Sequence, residues 1–250
     1  MPTFISDGLE LSYLDEGAGE PVLLIHGFGS SKEINWVYPG WVKTLTEAGR
    51  RVVAFDHRGH GASAKLYDPA LYHTRLMAKD AKTLLDTLGL PRADVIGYSM
   101  GARVTAQLAI TEPATVRTAV LGGLGIHLVD GVGLPQTIAD ALEADSLDDV
   151  TDPMGRMFRA FADTNKGDRK ALAACIRGSR QSLSRDEVAS IQQPVMVAVG
   201  TRDLIAGDPR PLAELLPHGQ VLDIPNRDHN PAVGDKVFKS GVLEFLAAHA

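Results

Sequence analysis

Short apolar runs recur along the chain, and most of them do not alternate with polar residues. They lie at residues 22–25, 52–55, 95–96, 118–121, 195–199 and 221–224. Continuous apolar runs of this kind are typical of strands that are buried on both faces, as in a parallel sheet. Residues 9–13 (Leu-Glu-Leu-Ser-Tyr) alternate instead, which predicts a strand at the edge of the sheet.

Segments of helical length separate these runs. The pattern predicts helices over residues 36–48, 71–88, 100–110 and 237–249. In the last of them Phe238, Val242 and Phe245 fall on one face, as in a helix that packs on a sheet. Strands that alternate with helices through short connections predict an α/β fold, a doubly wound, mostly parallel sheet flanked by helices.

One long stretch breaks this alternation. Residues 130–186 contain no strand pattern, and acidic residues cluster between Asp140 and Asp152. We therefore predict a small helical insertion over residues 130–186 and one core domain built from residues 1–129 and 187–250. Because Asp and Glu favour solvent, we interpret the acidic cluster as a solvated face rather than a metal site.

The composition excludes several classes of protein. Acidic residues outnumber basic ones by 31 to 25, a net charge of −6, so we expect no nucleic-acid or anionic-membrane partner. The single cysteine, Cys175, excludes an internal disulfide framework and a cysteine-rich zinc site. No apolar run is long enough to span a membrane, and the first residues lack the pattern of a signal peptide. We expect a cytoplasmic protein, for which a homo-oligomeric state stays open.

The most informative segment is Gly97-Tyr98-Ser99-Met100-Gly101, which directly follows an apolar run. A strand, a Gly-x-Ser-x-Gly turn and a helix in this order predict a sharp turn that projects a serine hydroxyl above the sheet. The two glycines leave room where a Cβ would crowd the neighbouring strand or helix. Ser99 is therefore the candidate nucleophile.

A serine hydroxyl needs a base to take its proton, and that base is usually histidine. His229 is the best placed, because it lies in a loop between the run at 221–224 and the last helix. The other histidines are alternatives: His26, His57, His60, His73, His127, His218 and His249. The imidazole needs an orienting acid, for which we choose Asp203, directly after the run at 195–199, over Asp208 and Asp228.

The early segment Ile25-His26-Gly27-Phe28-Gly29 follows the first apolar run. Its glycines let the backbone approach a ligand closely, so the N–H of Phe28 and the N–H of Met100 are the candidate donors to an oxyanion. We interpret His26 as a brace for this loop. Four further side chains are expected to line the substrate pocket: Trp36, Tyr98, Met154 and Phe158.

The order Ser99, Asp203, His229, with His-Gly-Phe-Gly early in the chain, resembles the α/β-hydrolase superfamily, and its serine carboxylesterases in particular. Residues 56–61 (Asp-His-Arg-Gly-His-Gly) are similar to a turn common among its members. The resemblance implies that Ser99 is the nucleophile, His229 the general base and Asp203 its orienting acid. It also implies that residues 130–186 form the cap over the pocket. The chain departs from many members in having Asp228 before the histidine.

Our leading hypothesis is hydrolysis of a small, moderately apolar carboxylic ester through an acyl-enzyme, and no residue cluster implies a metal or a cofactor. Two alternatives use the same three side chains: transfer of the acyl group to peroxide, as in cofactor-free perhydrolases and haloperoxidases, and the opening of lactones. An alternative of another class is a ligand receptor with this fold and little turnover.

Overall fold

Eight strands form a single sheet in the computed structural model, which describes residues 1–131 and 136–249. The strands are β1 (Thr3–Ser6), β2 (Leu9–Gly17), β3 (Glu20–Ile25), β4 (Arg50–Phe55), β5 (Ala93–Tyr98), β6 (Val116–Gly122), β7 (Val195–Gly200) and β8 (Gly219–Ile224). Their order across the sheet is β1-β2-β4-β3-β5-β6-β7-β8. β2 is antiparallel to β1 and to β4, and all other neighbours are parallel. The predicted doubly wound, mostly parallel sheet is confirmed.

Helices flank this sheet and connect its parallel strands. They are α1 (Trp41–Glu47), α2 (Thr74–Thr87), α3 (Met100–Thr111), α4 (Thr137–Glu143), α5 (Pro153–Thr164), α6 (Arg169–Gly178), α7 (Arg185–Ala189), α8 (Pro209–Leu215), α9 (His229–Ala232) and α10 (Lys236–Ala248). None of these described helices has the length and apolarity that crossing a membrane requires.

The sheet is covered on both faces, which is why its central strands are continuously apolar. Leu23 and Ile25 of β3 pack into one apolar cluster with residues of α2, α3 and α8. Val22 and Leu24 point the other way, into a second cluster with residues of α1 and α10. Alternate residues of a strand face opposite sides, so a strand between two helical layers needs apolar residues at every position.

The predicted ends of two helices are wrong. The helix expected over 36–48 is instead a π-helical turn, Glu33–Val37, followed by α1, and Gly40 at φ 82° separates them. The helix expected over 71–88 begins as a 3₁₀ turn, Pro69–Tyr72, before α2. His73 interrupts it with ψ 135°, and its side chain caps α2 by accepting from the N–H of Arg75. Gly40 is left-handed and His73 has an extended ψ, so both segments divide where the backbone leaves the right-handed helical region.

Helices α4, α5 and α6 lie between β6 and β7 in the chain and share an apolar cluster of their own. The cluster includes Ile138 and Leu142 of α4 and Leu172 and Ile176 of α6, and it extends to Phe28 of the core. Arg159 of α5 donates to two carbonyl groups at the end of α4, those of Ala141 and Ala144, at 2.8 and 2.7 Å. Apolar contacts and hydrogen bonds therefore join the inserted helices (α4 to α6) to one another and to the core.

Helix α7 crosses the predicted domain boundary between residues 186 and 187. Its Val188 is fully buried in the same cluster as α2 and α3. The helix therefore packs with the core, whereas the preceding helix α6 packs with the insertion.

Candidate active site

Ser99 lies at the sharp turn between β5 and α3, as the sequence pattern predicts. Its backbone has φ 55° and ψ −114°, a conformation that non-glycine residues rarely adopt. The N–H of Ser99 donates to the carbonyl of Gly122 on the neighbouring strand at 2.7 Å, which helps to hold the turn. The strained turn carries the hydroxyl out of the strand at the carboxyl end of the parallel sheet, where sites of open α/β sheets form.

Gly97 and Gly101 make this turn sterically feasible. A Cβ on Gly97 would lie 2.2 Å from the carbonyl oxygen of Gly101. A Cβ on Gly101 would lie 2.0 Å from the carbonyl oxygen of Ile25 on β3. Both distances are below any real contact, so only glycine lets α3 start this close to the sheet.

Three side chains distant in the sequence form one hydrogen-bonded chain. The Oγ of Ser99 is 2.9 Å from Nε2 of His229, and Nδ1 of His229 is 2.7 Å from Oδ2 of Asp203. A carboxylate at Nδ1 can only accept, so this contact places the imidazole proton on Nδ1. Nε2 then presents a lone pair to the serine hydroxyl. The Asp203 side chain has no exposed surface, so water does not compete for its charge.

The loop after β7 fixes the orientation of Asp203. Its Oδ1 accepts from the N–H groups of Ile205 and Ala206 at 2.8 and 3.0 Å, while Oδ2 faces His229. The two rival acids have other positions. Asp208 caps α8 by accepting from the N–H of Arg210, and Asp228 stands at the N-cap of α9 without a side-chain capping bond.

Tyr98 forms a hydrogen bond with the backbone of His229. Its hydroxyl donates to the carbonyl of His229 at 2.5 Å. Burial, followed by the negative charges of Asp203 and Asp228, raises the pKa of Tyr98 well above its usual value. The phenol therefore stays protonated and remains a donor to this carbonyl.

The predicted oxyanion donors face no competing acceptor. Among residues 1–131 and 136–249, the N–H groups of Phe28 and Met100 have no hydrogen-bond partner. Met100 is also the first residue of α3, so its N–H belongs to the positive end of a helix. The side-chain Oδ1 of Asn35 accepts from the N–H of Gly27 at 3.1 Å and supports the loop that carries Phe28.

His26 braces the same loop, as the sequence analysis interpreted it. Its Nδ1 donates to the carbonyl of Gly27 at 2.8 Å, and its Nε2 accepts from the N–H of His57 at 3.0 Å. Burial is the main reason that the pKa of His26 lies below its usual value. Both ring nitrogens are occupied, so His26 is not available to Ser99. His127 likewise uses Nδ1, which contacts the carbonyl of Ile205 at 2.8 Å.

A cavity of about 190 Å³ opens beside Ser99 and His229. Tyr98 and Phe158 line it, as predicted. Further lining residues come from three parts of the chain: Gly27, Phe28, Ser30, Ile34, Asn35, Met157, Phe161, Asn230 and Val233. Apolar side chains dominate the lining of this cavity. Most of its polar residues lie in the loop of Phe28 or are Ser99 and His229 themselves.

Two of the predicted pocket residues do not line this cavity. Trp36 is fully buried and packs edge-on against Trp41, with ring centroids 5.9 Å apart, in the cluster between the sheet and α1. Met154 packs against the apolar cluster of the inserted helices. Met157 and Phe161 of the same helix reach the cavity together with Phe158. The available signal was the spacing of Phe161, three residues after Phe158 and four after Met157, which places it on the same helical face as both.

The described residues do not form a ready-made metal site. Among the described residues, no cluster of three or more His, Cys, Asp or Glu side chains is arranged to hold an ion. Cys175 is buried against Met100 and Ser179, and burial raises the pKa of its thiol to about 12. It is therefore an uncharged packing residue at neutral pH.

The fold and this arrangement define a class of protein. The family described as the alpha/beta hydrolase fold matches residues 20–133. The chain is also 31% identical, over 88% of its own length and 91% of the other, to BpoC of Mycobacterium tuberculosis H37Rv, a provisionally named non-heme bromoperoxidase. The chain belongs to the alpha/beta hydrolase family.

A further relative and a solved structure each align with nearly the whole chain. Non-heme chloroperoxidase CPO-A1 of Kitasatospora aureofaciens is 26% identical and aligns over 96% of this chain and 97% of its own. The crystal structure of a hydrolase from Pseudomonas aeruginosa PA01 superposes with a TM-score of 0.80 at 24% identity, covering 98% of this chain and 97% of that one. The last similarity shows the fold alone.

Proposed function

We propose that the protein is a serine hydrolase that cleaves a small carboxylic ester through an acyl-enzyme. The observation that carries the proposal is the continuous chain from Ser99 through His229 to Asp203, with contacts of 2.9 and 2.7 Å. Each distance lies within hydrogen-bond range, so proton transfer along the first contact needs no rearrangement. The two N–H groups without partners beside it supply the second requirement, a site for negative charge.

In the proposed acylation step, the Oγ of Ser99 attacks the ester carbonyl carbon while Nε2 of His229 takes the hydroxyl proton. The carbonyl oxygen becomes an oxyanion that accepts hydrogen bonds from the N–H groups of Phe28 and Met100. The carbon–oxygen bond to the alcohol then breaks, and His229 gives its proton to the departing alkoxide. Asp203 stabilises the imidazolium that exists between these transfers.

In the proposed deacylation step, water takes the place of the alcohol. His229 removes a proton from the water as its oxygen attacks the acyl carbon. The tetrahedral intermediate collapses, the bond to Oγ breaks, and the proton on Nε2 returns to Ser99. The products are a carboxylic acid and an enzyme in its original protonation state.

The size and lining of the cavity support a small, moderately apolar substrate. A volume of about 190 Å³ is below the usual range for sites that take drug-sized ligands. Met157, Phe158 and Phe161 of α5 contribute aromatic and thioether surface to it. We propose that residues 130–186 act as the cap that encloses the substrate and excludes bulk water.

The test is the hydrolysis of 4-nitrophenyl acetate and longer 4-nitrophenyl esters by the wild type and by Ser99→Ala. We expect the substitution to lower kcat/KM by about 10⁴-fold or more, since the nucleophile is lost. Ser240→Ala, in an exposed serine of α10, is the matched control and should retain wild-type kinetics. If the folded wild type hydrolyses none of these esters, the proposal is wrong, and a ligand receptor with this fold becomes the better interpretation.

A second candidate is perhydrolysis at the same site, which the names of two relatives favour: a bromoperoxidase and a chloroperoxidase. In this reaction hydrogen peroxide, rather than water, attacks the acyl-enzyme, and a peracid leaves as the proton returns to Ser99. The peracid then oxidises halide away from the protein residues. With acetate ester, peroxide and bromide together, bromide oxidation above the rate of Ser99→Ala supports perhydrolysis, and its absence leaves hydrolysis alone.

A further inference from the structure

A second cavity, of about 60 Å³, also reaches Ser99 and Phe28. Its remaining lining differs in charge from that of the larger cavity. Arg103 and Arg180 line it, whereas the larger cavity has no lysine or arginine in its lining. Two arginines therefore line a cavity that also reaches the proposed nucleophile, in a molecule whose net charge is −6.

Arg103 lies in the first turn of α3, the helix that follows Ser99. Its N–H donates to the carbonyl of Ser99 at 3.2 Å, which places it one turn along α3 on the same side. Its guanidinium donates to the carbonyls of Gln181, Leu128 and His127 at 2.7, 3.3 and 3.3 Å. These contacts fix the plane of the group, yet all three partners are neutral.

The absence of an acid partner sets Arg103 apart from the other buried cations. Lys32 pairs with Asp56, Arg58 with Asp80 and Arg159 with Asp163, at 2.7, 2.7 and 2.9 Å. In the part of the chain that the structure describes, no carboxylate lies within 4.0 Å of the Arg103 guanidinium, although only 9% of this residue is exposed. Buried charges are normally paired, because an unpaired one loses its hydration without compensation.

The charge of Arg103 nevertheless persists at neutral pH. Burial lowers the pKa of its guanidinium to about 10, and no neighbouring charge offsets this effect. A group that is charged, buried and without an anion gains most from an anion that enters the cavity.

Arg180 supplies a second cation at the same cavity. It is exposed, and among the described residues its side chain forms neither an ion pair nor a hydrogen bond. By contrast, Arg177, three residues earlier, pairs with Glu143 at the surface and does not line the cavity. The side chain of Arg180 is thus available to a ligand, and Arg177 provides a matched control.

We propose that this smaller cavity is an anion subsite in which Arg103 and Arg180 bind a carboxylate of the substrate. The inference rests on the proposed function and narrows its substrate class to small esters or lactones that carry a carboxylate a few bonds from the scissile carbonyl. At about 60 Å³ it is the smaller of the two cavities that reach Ser99, which suits a compact group such as a carboxylate. The remainder of the substrate occupies the larger apolar cavity.

Two matched pairs of esters test the subsite. Monomethyl succinate and methyl butanoate differ in a carboxylate on the acyl side, while acetoxyacetate and propyl acetate differ in one on the alcohol side. Hydrolysis is followed by titration of the released acid. We expect the wild type to prefer the charged member of at least one pair by about tenfold or more in kcat/KM, the gain of one charge-assisted contact. The pair that shows the preference identifies which product carries the carboxylate.

Arg103→Gln and Arg180→Gln should each reduce this preference about tenfold, and Arg103→Lys should retain part of it because the cation remains. The readout is the ratio of the two rates, which a general loss of stability does not change in a selective way. Arg177→Gln should leave the ratio and both rates as in the wild type. Since Arg180 is exposed, its variant keeps the test valid even if Arg103→Gln fails to fold.

The subsite and the proposed function fail in different ways. A wild type that hydrolyses the neutral esters but shows no preference for either charged one overturns the subsite and leaves the proposed function intact. If the wild type hydrolyses no ester, the proposed function fails, and calorimetric binding of monomethyl succinate decides the subsite alone. Binding that Arg180→Gln weakens about tenfold supports it, and equal or absent binding overturns it.

Discussion

At the scale of single residues, the orientation of Asp203 determines how His229 can act. One carboxylate oxygen is committed to two backbone N–H groups, so the other can meet Nδ1 of His229 at 2.7 Å without rotating away. The carboxylate selects the tautomer of the imidazole, and it balances the positive charge that the proposed mechanism creates there. The proposed mechanism therefore gives the two residues separate roles, orientation to Asp203 and proton transfer to His229.

Asp203→Asn tests this separation. An amide keeps the shape and the contacts to the loop, but its NH₂ group facing Nδ1 stabilises the wrong tautomer. We expect kcat for an activated ester to fall about 10⁴-fold, with little change in KM or in the midpoint of thermal unfolding. Asp208→Asn, in a carboxylate that only caps α8, is the control. A loss of less than tenfold in Asp203→Asn would contradict the role given to this carboxylate.

At the scale of elements, the inserted helices depend on one buried arginine. Arg159 pairs with Asp163 at 2.9 Å and donates to the carbonyls of Ala141 and Ala144, where α4 ends. The last carbonyls of a helix have no partner within the helix, so the guanidinium satisfies groups that would otherwise be buried without one. The same helix α5 carries Met157, Phe158 and Phe161 to the larger cavity.

Arg159→Met should therefore loosen α4 without unfolding the core. Methionine fills much of the space but leaves the Ala141 carbonyl unsatisfied and the Ala144 carbonyl with only the 3.5 Å contact from Arg169, which costs about 1–3 kcal/mol. Native-state hydrogen exchange should show faster exchange of α4 amides by about tenfold or more, while amides of β5 and β6 are unchanged. Arg169→Met is the control, because its contact to Ala144 is 3.5 Å long and its side chain is partly exposed. Equal acceleration in α4 and the central strands would show that the insertion and the core open together.

The apolar pattern of the sequence predicts most strands and helices, but it misses β1 and two helix breaks. The central strands were predicted because burial on both faces makes them continuously apolar, α3 because a segment of helical length separates two such runs, and α10 because it has a long apolar face. β1 was missed, since only Phe4 of its four residues is a large buried side chain. The available signal was Asp7-Gly8, both at positive φ (49° and 78°), a dipeptide typical of a two-residue hairpin turn. The breaks at Gly40 and His73 depend on single backbone angles that periodicity does not record.

The candidate site was predictable to the extent that it depends on chain order. Ser99, Asp203 and His229 each follow an apolar run, and the carboxyl ends of parallel strands meet at one edge of the sheet, so their convergence follows from topology. Pocket residues depend instead on which face of a helix turns inwards. Trp36 was therefore wrongly assigned to the pocket, although its residue type suited the role. Likewise, nothing in the sequence shows that Arg103 lacks an acid partner.

At the scale of the whole molecule, three buried histidines connect the loop after β3 with the loop after β4. They also affect how the stability of the fold depends on pH. The rings of His26, His57 and His60 pack against one another, with centroids 4.6 to 6.1 Å apart. Burial lowers the pKa of His60 to about 3, with a further contribution from His26. In the unfolded chain an ordinary histidine titrates near 6.5. Between these two values the unfolded state binds the proton and the folded state does not, so stability falls as pH falls below about 6.5.

His60→Leu should reduce this acid sensitivity. For a single group with these two pKa values, the loss between pH 7 and pH 5 is about 2 kcal/mol of unfolding free energy. Urea denaturation at the two pH values measures it, and the decrease should be smaller in the variant by roughly that amount. The comparison uses the change with pH, so the contact that leucine loses at each pH cancels. His218→Gln, at an exposed histidine, should keep the wild-type change. An unaltered change in His60→Leu would contradict the assignment of a neutral buried imidazole.

Reaction with a fluorophosphonate probe, followed by mapping of the labelled peptide, tests the central claim most directly. The probe reacts with a serine whose hydroxyl proton a neighbouring base removes, whatever the natural substrate is. Our account predicts that the wild type is labelled at one position, Ser99, and that a folded Ser99→Ala variant remains unlabelled. A folded wild type that stays unlabelled, or a label on another serine that persists in Ser99→Ala, would contradict it.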